Sequence, residues 1–448
     1  MAEKEPIRGL KKVLIITYYW PPAGGGGVQR WLKFTKYLRE HGIEPIIFTA
    51  RGGEVPVIDE SLEKEIPAGI RIIRHPIWEP YTFYKKLLGK KKNERVYSGF
   101  IQDQKSSGWK QKASVFIRGN FFIPDARMFW IRPSVKFLKR WLKDYSVDAI
   151  VSTGPPHSTH RIALQLKRAT GLPWVADFRD PWTQIDFYDQ LHLTKWADAR
   201  HKKMEKEVLT EADAVVTVSP SWAKGLESLV DRKVEVVNNG FDPEDFDRVA
   251  EVPLKEFSIC HVGSMNADRN PLALWNALHR LVREDERFHQ KVKVRLIGQI
   301  DFAIEQAIQE RELNQYVEKV PFMAHAEIPA QLKQAAVLLL PVNKTPNMDG
   351  VVPGKLYEYL AAKRPVLVVG PPQGDTANIV AESGAGEIFN YSEVEELKNQ
   401  LMQWMDAFET GTLVVNPEEI NRYSRKFLAG KFAEVVFNSI ENQSVSVR

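Results

Sequence analysis

The sequence predicts an α/β protein built from two Rossmann-like domains, each with a parallel sheet. Short apolar runs alternate with helical patterns along the chain, and this alternation is typical of βαβ units. A chain of 448 residues also exceeds what one hydrophobic core usually supports. The series restarts after an acidic segment with two prolines at 242–255, which we interpret as the linker. We expect the ligand site in a cleft at the carboxyl ends of both sheets.

The individual elements follow from the period of the apolar residues. In the first domain, residues 1–241, apolar runs predict strands at 12–17, 44–49, 70–74, 149–152, 174–177, 214–218 and 234–238. In the second domain, residues 256–423, they predict strands at 257–262, 292–297, 316–320, 336–340, 365–369 and 386–389. Helical patterns lie between the strands, for example at 28–41, 160–171, 270–284, 328–334 and 353–362. A last amphipathic helix is expected at 424–440, and one expectation is that the segment 424–448 packs back on the first domain.

The composition indicates an ordinary globular protein, with 44% hydrophobic and 27% charged residues. The single cysteine, Cys260, lies in an apolar run, which predicts a buried strand residue. One cysteine cannot form a disulfide within the chain, and this fits a reducing compartment. The N-terminus is charged, and no stretch approaches the roughly 20 apolar residues of a membrane-spanning helix. We therefore expect a cytoplasmic protein.

Positive charge is concentrated in one segment of the first domain. Residues 81–143 contain 16 Lys and Arg against three Asp and Glu, a net charge of +13, whereas the whole chain carries +5. Aromatic residues are interleaved with these charges. Such a segment can lie on an anionic membrane surface or bind a phosphate-bearing lipid acceptor. A nucleic-acid-binding surface would look similar, and a charged solvated face over a hydrophobic core is the simpler alternative.

A glycine-rich loop, Gly24 to Gly27, follows the first predicted strand and precedes a helix. Glycines let the backbone approach a ligand closely, and the N–H groups at a helix N-terminus favour an anion. The loop lacks the G-x-G-x-x-G spacing, and Thr-Ala-Arg follows the second strand where a ribose-binding acid would stand. Both points weaken a dehydrogenase interpretation. The alternative to an anion site is a flexible entry loop.

Two polar clusters follow the fourth and fifth predicted strands. The first contains His157 and His160, and the second contains Arg179 and Asp180 before a proline. A histidine and a carboxylate at strand ends could orient or deprotonate a hydroxyl group. A lone histidine is more often structural, so direct ligand contact by either His is the less favoured alternative.

The segment 349–369 is the most informative one for function. It comprises a loop with Pro and Gly, a short helix with Lys355 and Glu358 three residues apart, and an apolar strand. This spacing places both side chains on one face at the start of a helix. A Lys can neutralise phosphate, and a carboxylate can accept hydrogen bonds from sugar hydroxyls. A surface ion pair on an ordinary helix is the alternative.

Several other kinds of site are excluded by the motifs. We find no H-E-x-x-H, no G-x-S-x-G and no P-loop, and the one D-x-D lies in the acidic linker. No metal site or cofactor is therefore expected, and a diphosphate would have to be neutralised by protein cations and amides. The obvious cations are Lys355 and Arg269, which comes soon after the strand that ends in Val-Gly at 262–263.

Across nearly the whole chain these motifs resemble those of a GT-B glycosyltransferase of the large family 4. The likeness is carried by Pro-Pro-Ala-Gly-Gly-Gly-Gly at 21–27, Ala-Asp-Ala-Val-Val-Thr-Val-Ser at 212–219 and Val-Asn-Asn-Gly-Phe-Asp at 237–242. It is also carried by Val-Gly at 262–263 with its following basic residue, and by Lys-Leu-Tyr-Glu-Tyr-Leu-Ala-Ala at 355–362. The resemblance implies two Rossmann-like domains facing across a cleft, and typically transfer from a nucleotide-sugar with retention at the anomeric carbon.

The resemblance also assigns roles to residues. The second domain would bind the nucleotide, with Glu358 at the ribose hydroxyls and Lys355 and Arg269 at the diphosphate. The glycine loop would lie near the donor phosphates from the opposite domain. Catalytic roles fall on Lys355, Arg269, Arg179, Asp180 and His157. The expected donor contacts are Gly25, Gly26, Gly27, Gly263, Gly298, Phe322, Met323, Gly354, Lys355, Leu356 and Glu358.

Two positions depart from the family pattern. The usual E-x7-E pair would need a carboxylate at position 350, where Gly350 stands with Asp349 one position out of register. Members with a Lys-Leu-Tyr-Glu helix often lack the first Glu, so we interpret this chain as that subtype. Many members carry a His where this chain has Arg179. The role of positioning the sugar therefore falls on Arg179 or Asp180.

The expected reaction needs no dedicated nucleophile. The acceptor hydroxyl would approach the face from which the nucleotide diphosphate departs, and a departing phosphate oxygen would take its proton. Lys355, Arg269 and the N–H groups of Gly25 to Gly27 would stabilise the charge on that phosphate. The expected partners are a UDP-, GDP- or ADP-linked sugar, a glycan or polyprenyl-phosphate-linked acceptor in cell-surface polysaccharide biosynthesis, and an anionic membrane surface at the inner face.

Three other classes of function stay open at this point. A nucleotide-sugar 2-epimerase of the same fold would release free sugar or an epimer without any acceptor. A catalytically inactive relative would bind the nucleotide-sugar without turnover. A nucleic-acid-binding protein would depend on the basic segment and show a steep salt dependence, although no nucleic acid is the expectation.

Overall fold

The computed structural model describes residues 9–55, 57–79, 109–250 and 253–446. The chain divides into two compact units. Unit 1 comprises residues 1–238 and 425–448, and unit 2 comprises residues 239–424. Each unit is built around one parallel sheet, as the alternating pattern predicts.

The sheet of unit 1 has seven strands, all parallel, in the order β3-β2-β1-β4-β5-β6-β7. The strands are β1 (Lys11–Ile16), β2 (Ile43–Arg51), β3 (Arg71–Pro76), β4 (Ala149–Gly154), β5 (Trp174–Phe178), β6 (Ala214–Thr217) and β7 (Glu235–Val236). All seven predicted strands are confirmed, and their ends differ by at most two residues. The largest shortening is at β7, an edge strand that pairs with β6 alone.

The helices of unit 1 cover both faces of the sheet. They are α1 (Gly26–Leu38), α2 (Trp109–Phe121), α3 (Met128–Asp144), α4 (Ser158–Thr170), α5 (Lys195–Glu211), α6 (Pro220–Glu227) and α15 (Arg425–Ser446). Val13 and Ile15 point into one core, and Leu14 and Ile16 point into the other. Burial on both faces explains why β1 is an unbroken apolar run.

The terminal helix α15 packs against α1 within unit 1. The rings of Trp31 and Phe432 meet edge to face with centroids 5.1 Å apart. Leu428 and Ala429 are buried in the same core, and the Arg425 guanidinium donates to the carbonyl oxygen of Gln29. The chain therefore returns to its first unit after completing the second.

The sheet of unit 2 has six parallel strands in the order β10-β9-β8-β11-β12-β13. They are β8 (Phe257–Val262), β9 (Val292–Ile297), β10 (Val317–Val320), β11 (Val337–Pro341), β12 (Val366–Val369) and β13 (Gly386–Phe389). The helices are α7 (Pro243–Asp247), α8 (Leu272–Glu284), α9 (Glu286–Lys291), α10 (Phe302–Glu310), α11 (Ile328–Gln334), α12 (Lys355–Ala362), α13 (Asp375–Ser383) and α14 (Val394–Glu409). The six predicted strands are confirmed, and Cys260 is buried in β8 as expected.

Part of the segment between the two strand series is helical. Part of the predicted linker, Pro243–Asp247, forms the short helix α7, whose Asp242 side chain caps its N-terminus. Phe246 of this helix is buried in a core of unit 2 beside Phe241. The acidic residues that suggested a linker are thus the caps and surface of a helix packed on the second unit.

The strand orders decide where the loops of interest meet. The order reverses between β1 and β4 in unit 1 and between β8 and β11 in unit 2. Loops that leave adjacent strands on either side of such a reversal diverge and leave a crevice at the carboxyl edge. The glycine loop, His157 and Arg179 follow β1, β4 and β5, whereas Gly263 follows β8. The predicted site residues therefore gather at these two edges.

Candidate functional site

Lys355 begins helix α12 in unit 2 and points toward the end of β8. Its Nζ lies 3.2 Å from Nε2 of the buried His261. The Nδ1 of His261 lies 3.0 Å from the carbonyl oxygen of Leu339 and must donate its proton there. The other nitrogen, Nε2, is therefore the acceptor for the lysine. Sequence reasoning missed His261, because a histidine inside an apolar strand gives no sign of which side chain it meets.

The charge state of Lys355 is set by its surroundings. Burial lowers the pKa of the amine from its usual 10.5 to about 7, and the nearby Arg269 lowers it as well, while Glu358 acts in the opposite direction. Burial and the Lys355 cation also hold the pKa of His261 well below its ordinary value, so this ring stays neutral. The side chain of Lys355 is thus held by a neutral acceptor and gains positive charge readily when an anion approaches.

Two glycines at the ends of β8 and β9 make room for this arrangement. Gly263 has a φ of +101°, and a Cβ there would lie 3.0 Å from Nζ of Lys355. Gly298 has a φ of +121°, and its Cβ would lie 3.0 Å from the backbone carbonyl of Gly263. Side chains rarely adopt such backbone angles. The two glycines therefore let the backbone come close to the lysine and leave the strand ends bare.

Arg269 lies in the loop after β8 and is held by the loop after β11. Its Nε donates to Oδ1 of Asn343, and the backbone N–H of Lys344 donates to the carbonyl of Asp268 over 3.0 Å. The Arg269 Nη1 lies 3.5 Å from the carbonyl oxygen of Ser264, the residue after Gly263, and its charge lowers the pKa of Lys355. Two cations close together at a helix start favour an anionic ligand.

Glu358 lies one turn after Lys355 and meets a histidine from the loop after β10. Its Oε1 lies 3.1 Å from Nε2 of His325, and both side chains are 19% exposed. This arrangement turns the carboxylate toward a solvent-accessible region at the edge of the sheet. His325 was not among the predicted site residues, because it comes 33 positions earlier in the chain.

The other expected donor contacts differ in what they can offer. Phe322 is 65% exposed and Gly354 is exposed at the start of α12, whereas Met323 packs partly against the core. Helix α12 begins at Lys355 rather than at residue 353 as predicted, because Pro353 and Gly354 form the turn before it. Leu356 is fully buried, and its N–H donates to the carbonyl of Pro353 over 2.9 Å. Its role as a donor contact stays a prediction.

Tyr359 anchors the helix that carries these residues. The backbone N–H of Val262 donates to its hydroxyl over 3.1 Å, and the ring is fully buried. Burial raises the pKa of this hydroxyl well above its ordinary value. This hydrogen bond thus connects α12 to the end of β8 and helps to position Lys355 beside Gly263.

In unit 1 the glycine loop is pinned to the loop after β2. The N–H of Gly24 donates to Val57 over 3.0 Å, and Val28 and Gln29 donate to the carbonyl of Gly25. Helix α1 begins at Gly26, two residues earlier than predicted, with Gly25 at a φ of +100°. The first N–H groups of α1 therefore point out of the carboxyl edge, where the helix dipole favours an anion.

Arg179 packs directly on this loop. A Cβ at Gly27 would overlap the Arg179 guanidinium, so a side chain there would require Arg179 to move. The guanidinium also donates to the carbonyl of Pro155 over 2.5 Å, and the Arg179 N–H donates to Gly154 over 3.1 Å. The structure therefore brings Arg179 and the glycine loop together, a contact that the sequence did not reveal.

A buried ion pair lies beneath them. The Arg30 guanidinium donates to both oxygens of Asp177, over 2.9 and 3.2 Å, and the Trp31 indole N–H donates to the same carboxylate. Arg30 also donates to the carbonyl of Asn238 over 2.8 Å. These fully buried groups connect α1, β5 and the end of β7, and they fix the start of α1 against the sheet.

The two histidines after β4 are neutral. Nδ1 of His160 lies 2.8 Å from Oγ of Ser152, which accepts the indole N–H of Trp174 over 2.8 Å. Burial lowers the pKa of His160 to about 3 and that of His157 well below its ordinary value. The ring of His157 stacks on Trp182 with centroids 4.6 Å apart. Of the two, His160 is the one held as a structural residue, because its partners lie within the core.

His157 and Asp180 line a cavity of about 330 Å³ at the carboxyl edge of unit 1. Aromatic and apolar side chains form much of its wall, including Tyr19, Phe122 and Trp182. Nδ1 of the buried His157 has no hydrogen-bond partner among the described residues. Burial raises the pKa of the Asp180 carboxyl, and Arg179 acts against that shift. The cavity thus offers an apolar wall with an acceptor and a neutral imidazole, which suits a hydroxylated ring.

Two general features concern the described part of the chain as a whole. In residues 9–55, 57–79, 109–250 and 253–446, no three His, Cys, Asp or Glu side chains gather as metal ligands would. The expectation that no metal or cofactor takes part stays a prediction. No helix among the same residues is both long and apolar enough to cross a bilayer.

Comparison with known proteins connects this geometry to a class of enzyme. Residues 101–245 match the profile described as Glycosyltransferase Family 4, and residues 256–407 match the one described as Glycosyl transferases group 1. No curated protein matches the sequence.

Solved structures of similar fold cover almost the whole chain. Sucrose-phosphate synthase from Thermosynechococcus elongatus is 15% identical with a TM-score of 0.57, covering 98% of each chain. HepE from Anabaena, solved with UDP-glucose, is 13% identical with a TM-score of 0.55, covering 98% of this chain and 99% of its own. A mutant of TarM from S. aureus, solved with fondaparinux, α-GlcNAc-glycerol and UDP, is 10% identical with a TM-score of 0.57, covering 97% and 99%. The two parallel-sheet units and the two matched domains identify this chain as a GT-B glycosyltransferase that carries a family 4 domain and a group 1 domain.

Proposed function

We propose that this glycosyltransferase moves a sugar from a nucleotide-diphosphate sugar to a hydroxyl of a glycan or a polyprenyl-phosphate-linked glycan, with retention. The proposed context is cell-surface polysaccharide biosynthesis. The observation that carries the proposal is Lys355, held by neutral His261 above the bare backbone of Gly263 and near Arg269. This arrangement suits the diphosphate of a UDP-, GDP- or ADP-linked sugar. The structures of HepE with UDP-glucose and of TarM with UDP support a donor of this class.

The donor roles are divided among the residues at the carboxyl edge of unit 2. Lys355 and Arg269 would neutralise the two phosphates, and Glu358 would accept hydrogen bonds from the ribose hydroxyls. His325, 3.1 Å from Glu358, would hold that carboxylate in position. The exposed ring of Phe322 is available to stack on a nucleobase. Charge grows on the departing phosphate during transfer, so cations already in place lower the barrier.

The acceptor roles belong to the cavity of unit 1. An acceptor sugar presents an apolar ring face and several hydroxyls, and the aromatic wall and the Asp180 carboxylate match both properties. Asp180 would accept a hydrogen bond from an acceptor hydroxyl, and His157 would fix the ring through its free Nδ1. Arg179 and the N–H groups of the glycine loop would bind an anion at the same edge.

The proton balance requires no further group. In the proposed step the acceptor oxygen forms the new bond to the anomeric carbon on the face where the bond to the diphosphate oxygen breaks. The hydroxyl proton passes to that departing phosphate oxygen. Asp180 then orients the acceptor, and the cations stabilise the leaving group.

The proposal is tested with a panel of donors in which release of the nucleotide diphosphate is measured. The base is first identified by the thermal shift that UDP, GDP, ADP and TDP produce. We expect one nucleotide to stabilise the protein and its sugar conjugate to be consumed only with a lipid-linked acceptor extract, giving a product of the same anomeric configuration as the donor.

The other classes of function give different results in the same assay. Free sugar or an epimer formed without acceptor would indicate a 2-epimerase. Nucleotide binding without consumption of any donor would indicate an inactive binding protein. Product of inverted configuration would contradict retention while leaving the transferase assignment intact.

A further inference from the structure

The helix α3 presents a face made almost wholly of cations. Five exposed basic residues recur along it at helical spacing, and the opposite face, with Trp130, Ser134 and Leu138, is buried. The exposed cations are Arg132, Lys136, Lys139, Arg140 and Lys143. At 100° per residue they fall within an arc of about 120°, and they extend over about 16 Å of the helix.

These cations are not neutralised by neighbours. Among the residues that the structure describes, none of the five forms an ion pair, and the only acid of the helix is Asp144 at its C-terminal end. Like charges one turn apart repel one another. A helix face of this kind is therefore unfavourable by itself and is relieved by an anionic partner.

Aromatic side chains lie at the N-terminal end of the same face. Phe129 falls in the arc of the five cations and is 42% exposed. Its ring meets that of Trp78, which is 64% exposed, with centroids 5.0 Å apart. The ring of Phe122 is 6.2 Å from Phe129, and its neighbour Phe121 is also exposed. We call Trp78, Phe121, Phe122 and Phe129 the aromatic cluster.

We propose that the cationic face of α3 and the aromatic cluster dock unit 1 onto the surface of an anionic lipid bilayer. The cations would lie among the phosphate headgroups, and the exposed rings would enter the boundary between headgroups and acyl chains. Charge complementarity argues for this occupant. Exposed rings beside the charges favour a bilayer over a nucleic acid, whose backbone would be bound by the cations alone. The proposal does not depend on transferase activity.

The test is co-sedimentation of the full-length protein with vesicles of defined composition. Vesicles of phosphatidylcholine with 30% phosphatidylglycerol are compared with phosphatidylcholine alone, since an anionic surface attracts each nearby Lys or Arg. We expect binding to the anionic vesicles alone, falling at least about tenfold when salt rises from 0.05 to 0.3 M because exposed charges are screened.

Two triple variants separate this face from net charge. Replacing three face residues, Lys136→Gln, Lys139→Gln and Arg140→Gln, should weaken vesicle binding about 100-fold, at roughly fivefold per cation. The control removes the same charge from unit 2 by Arg283→Gln, Lys293→Gln and Lys319→Gln, whose side chains are 48–56% exposed. The control should bind within about twofold of wild type. Thermal melting verifies that both variants fold.

The aromatic cluster is tested separately by Phe129→Ser. We expect this variant to bind the vesicles more weakly. Its remaining binding should decrease more steeply with salt concentration than that of the wild type, because only the electrostatic attraction is left. Absence of binding by the wild type to anionic vesicles overturns the proposal. So does equal loss in both triple variants, or tight binding of the α3 face to a nucleic acid or an acidic polysaccharide when vesicles are not bound.

Discussion

The carboxyl edges of the two sheets are built from opposite chemistry. At the edge of unit 2, Lys355 lies beside the bare backbone of Gly263, and Arg269 reaches the carbonyl oxygen of the next residue, Ser264. At the edge of unit 1, a largely aromatic and apolar cavity is lined by three acidic residues, Glu54, Asp125 and Asp180, and burial raises the pKa of Asp180. The first edge attracts an anion that can come close to backbone, and the second suits a neutral ring with hydroxyls.

The histidines show how the same physical effect serves both edges. Burial keeps His261 neutral in unit 2 and His157 neutral in unit 1. In unit 2 the neutral ring accepts a hydrogen bond from Lys355 and leaves its charge available for a ligand. In unit 1 the neutral ring adds no positive charge to a cavity that Arg118 and Arg127 also line. The presence of a basic partner such as Lys355, more than the histidine itself, therefore decides which ligand an edge can hold.

Removing the Lys355 cation of unit 2 should have the largest effect on turnover. Lys355→Ala should lower turnover about 10³-fold, because charge on the departing phosphate loses its nearest stabilising group. The measurement is nucleotide release with the donor identified above. Lys363→Asn is the control, since Lys363 ends the same helix with a φ of +54°, which Asn tolerates. Wild-type turnover in Lys355→Ala would remove Lys355 from the mechanism.

A smaller effect is expected at the other edge. Asp180→Asn should lower turnover about 10²-fold by misplacing the acceptor, while the affinity for the nucleotide stays unchanged. Asp189→Asn, at an exposed position after the same strand, should behave as wild type. Steady-state rates and nucleotide titration give the two quantities. A loss of nucleotide affinity in Asp180→Asn would contradict the division of roles between the edges.

The close contact between the backbones of Gly298 and Gly263 predicts a third effect, on nucleotide affinity and stability. Gly298→Ala should lower nucleotide affinity about tenfold and the free energy of unfolding by about 2 kcal/mol, because the new methyl group meets the Gly263 backbone at a strained φ. Gly384→Ala isolates the strain, since its φ is +60° and its surroundings are open. Thermal melting and titration should show a smaller stability loss and no affinity loss in the control; equal losses in both variants would show that the contact has no part in binding.

The pH dependence of nucleotide binding should be the mildest effect. A bound diphosphate raises the pKa of Lys355 from about 7, so binding takes up a proton, and affinity falls as pH rises above 7. Between pH 7.5 and 8.5 the decrease should stay below about tenfold, measured by titration calorimetry. In Lys355→Arg, whose side chain keeps its charge, the decrease should vanish. An unchanged slope in this variant would assign the proton to another group.

The sequence predicts the sheets well because buried parallel strands need unbroken apolar runs. All thirteen predicted strands are present, although edge strands such as β7 and β10 contain charged residues, and short loops fix which residues reach the carboxyl edges. Contacts across the chain were not predictable. His261 and Lys355 are 94 positions apart, and Glu358 and His325 are 33 apart. The packing of α12 on β8, through Tyr359, brings Lys355 to His261, and the loop after β10 brings His325 to Glu358.

The same limit applies to the glycines. The glycine loop suggested an anion site, but the close contact of Gly27 with Arg179, which follows another strand, was not predictable. The basic segment was evident from composition, and its part at 81–108 lies outside the described residues. Its arrangement as one bare face of α3 depends on which side of that helix is buried.

Lys355 is proposed to bind the diphosphate of a nucleotide donor. The most direct measurement compares the affinities of wild type and Lys355→Ala for the nucleoside diphosphate that gives the largest thermal shift and for its parent nucleoside, by titration calorimetry at pH 7.5. We predict a loss of about 10- to 100-fold for the diphosphate, as expected for a charge-assisted hydrogen bond, and no change for the nucleoside. Equal diphosphate affinity in both proteins would contradict the account.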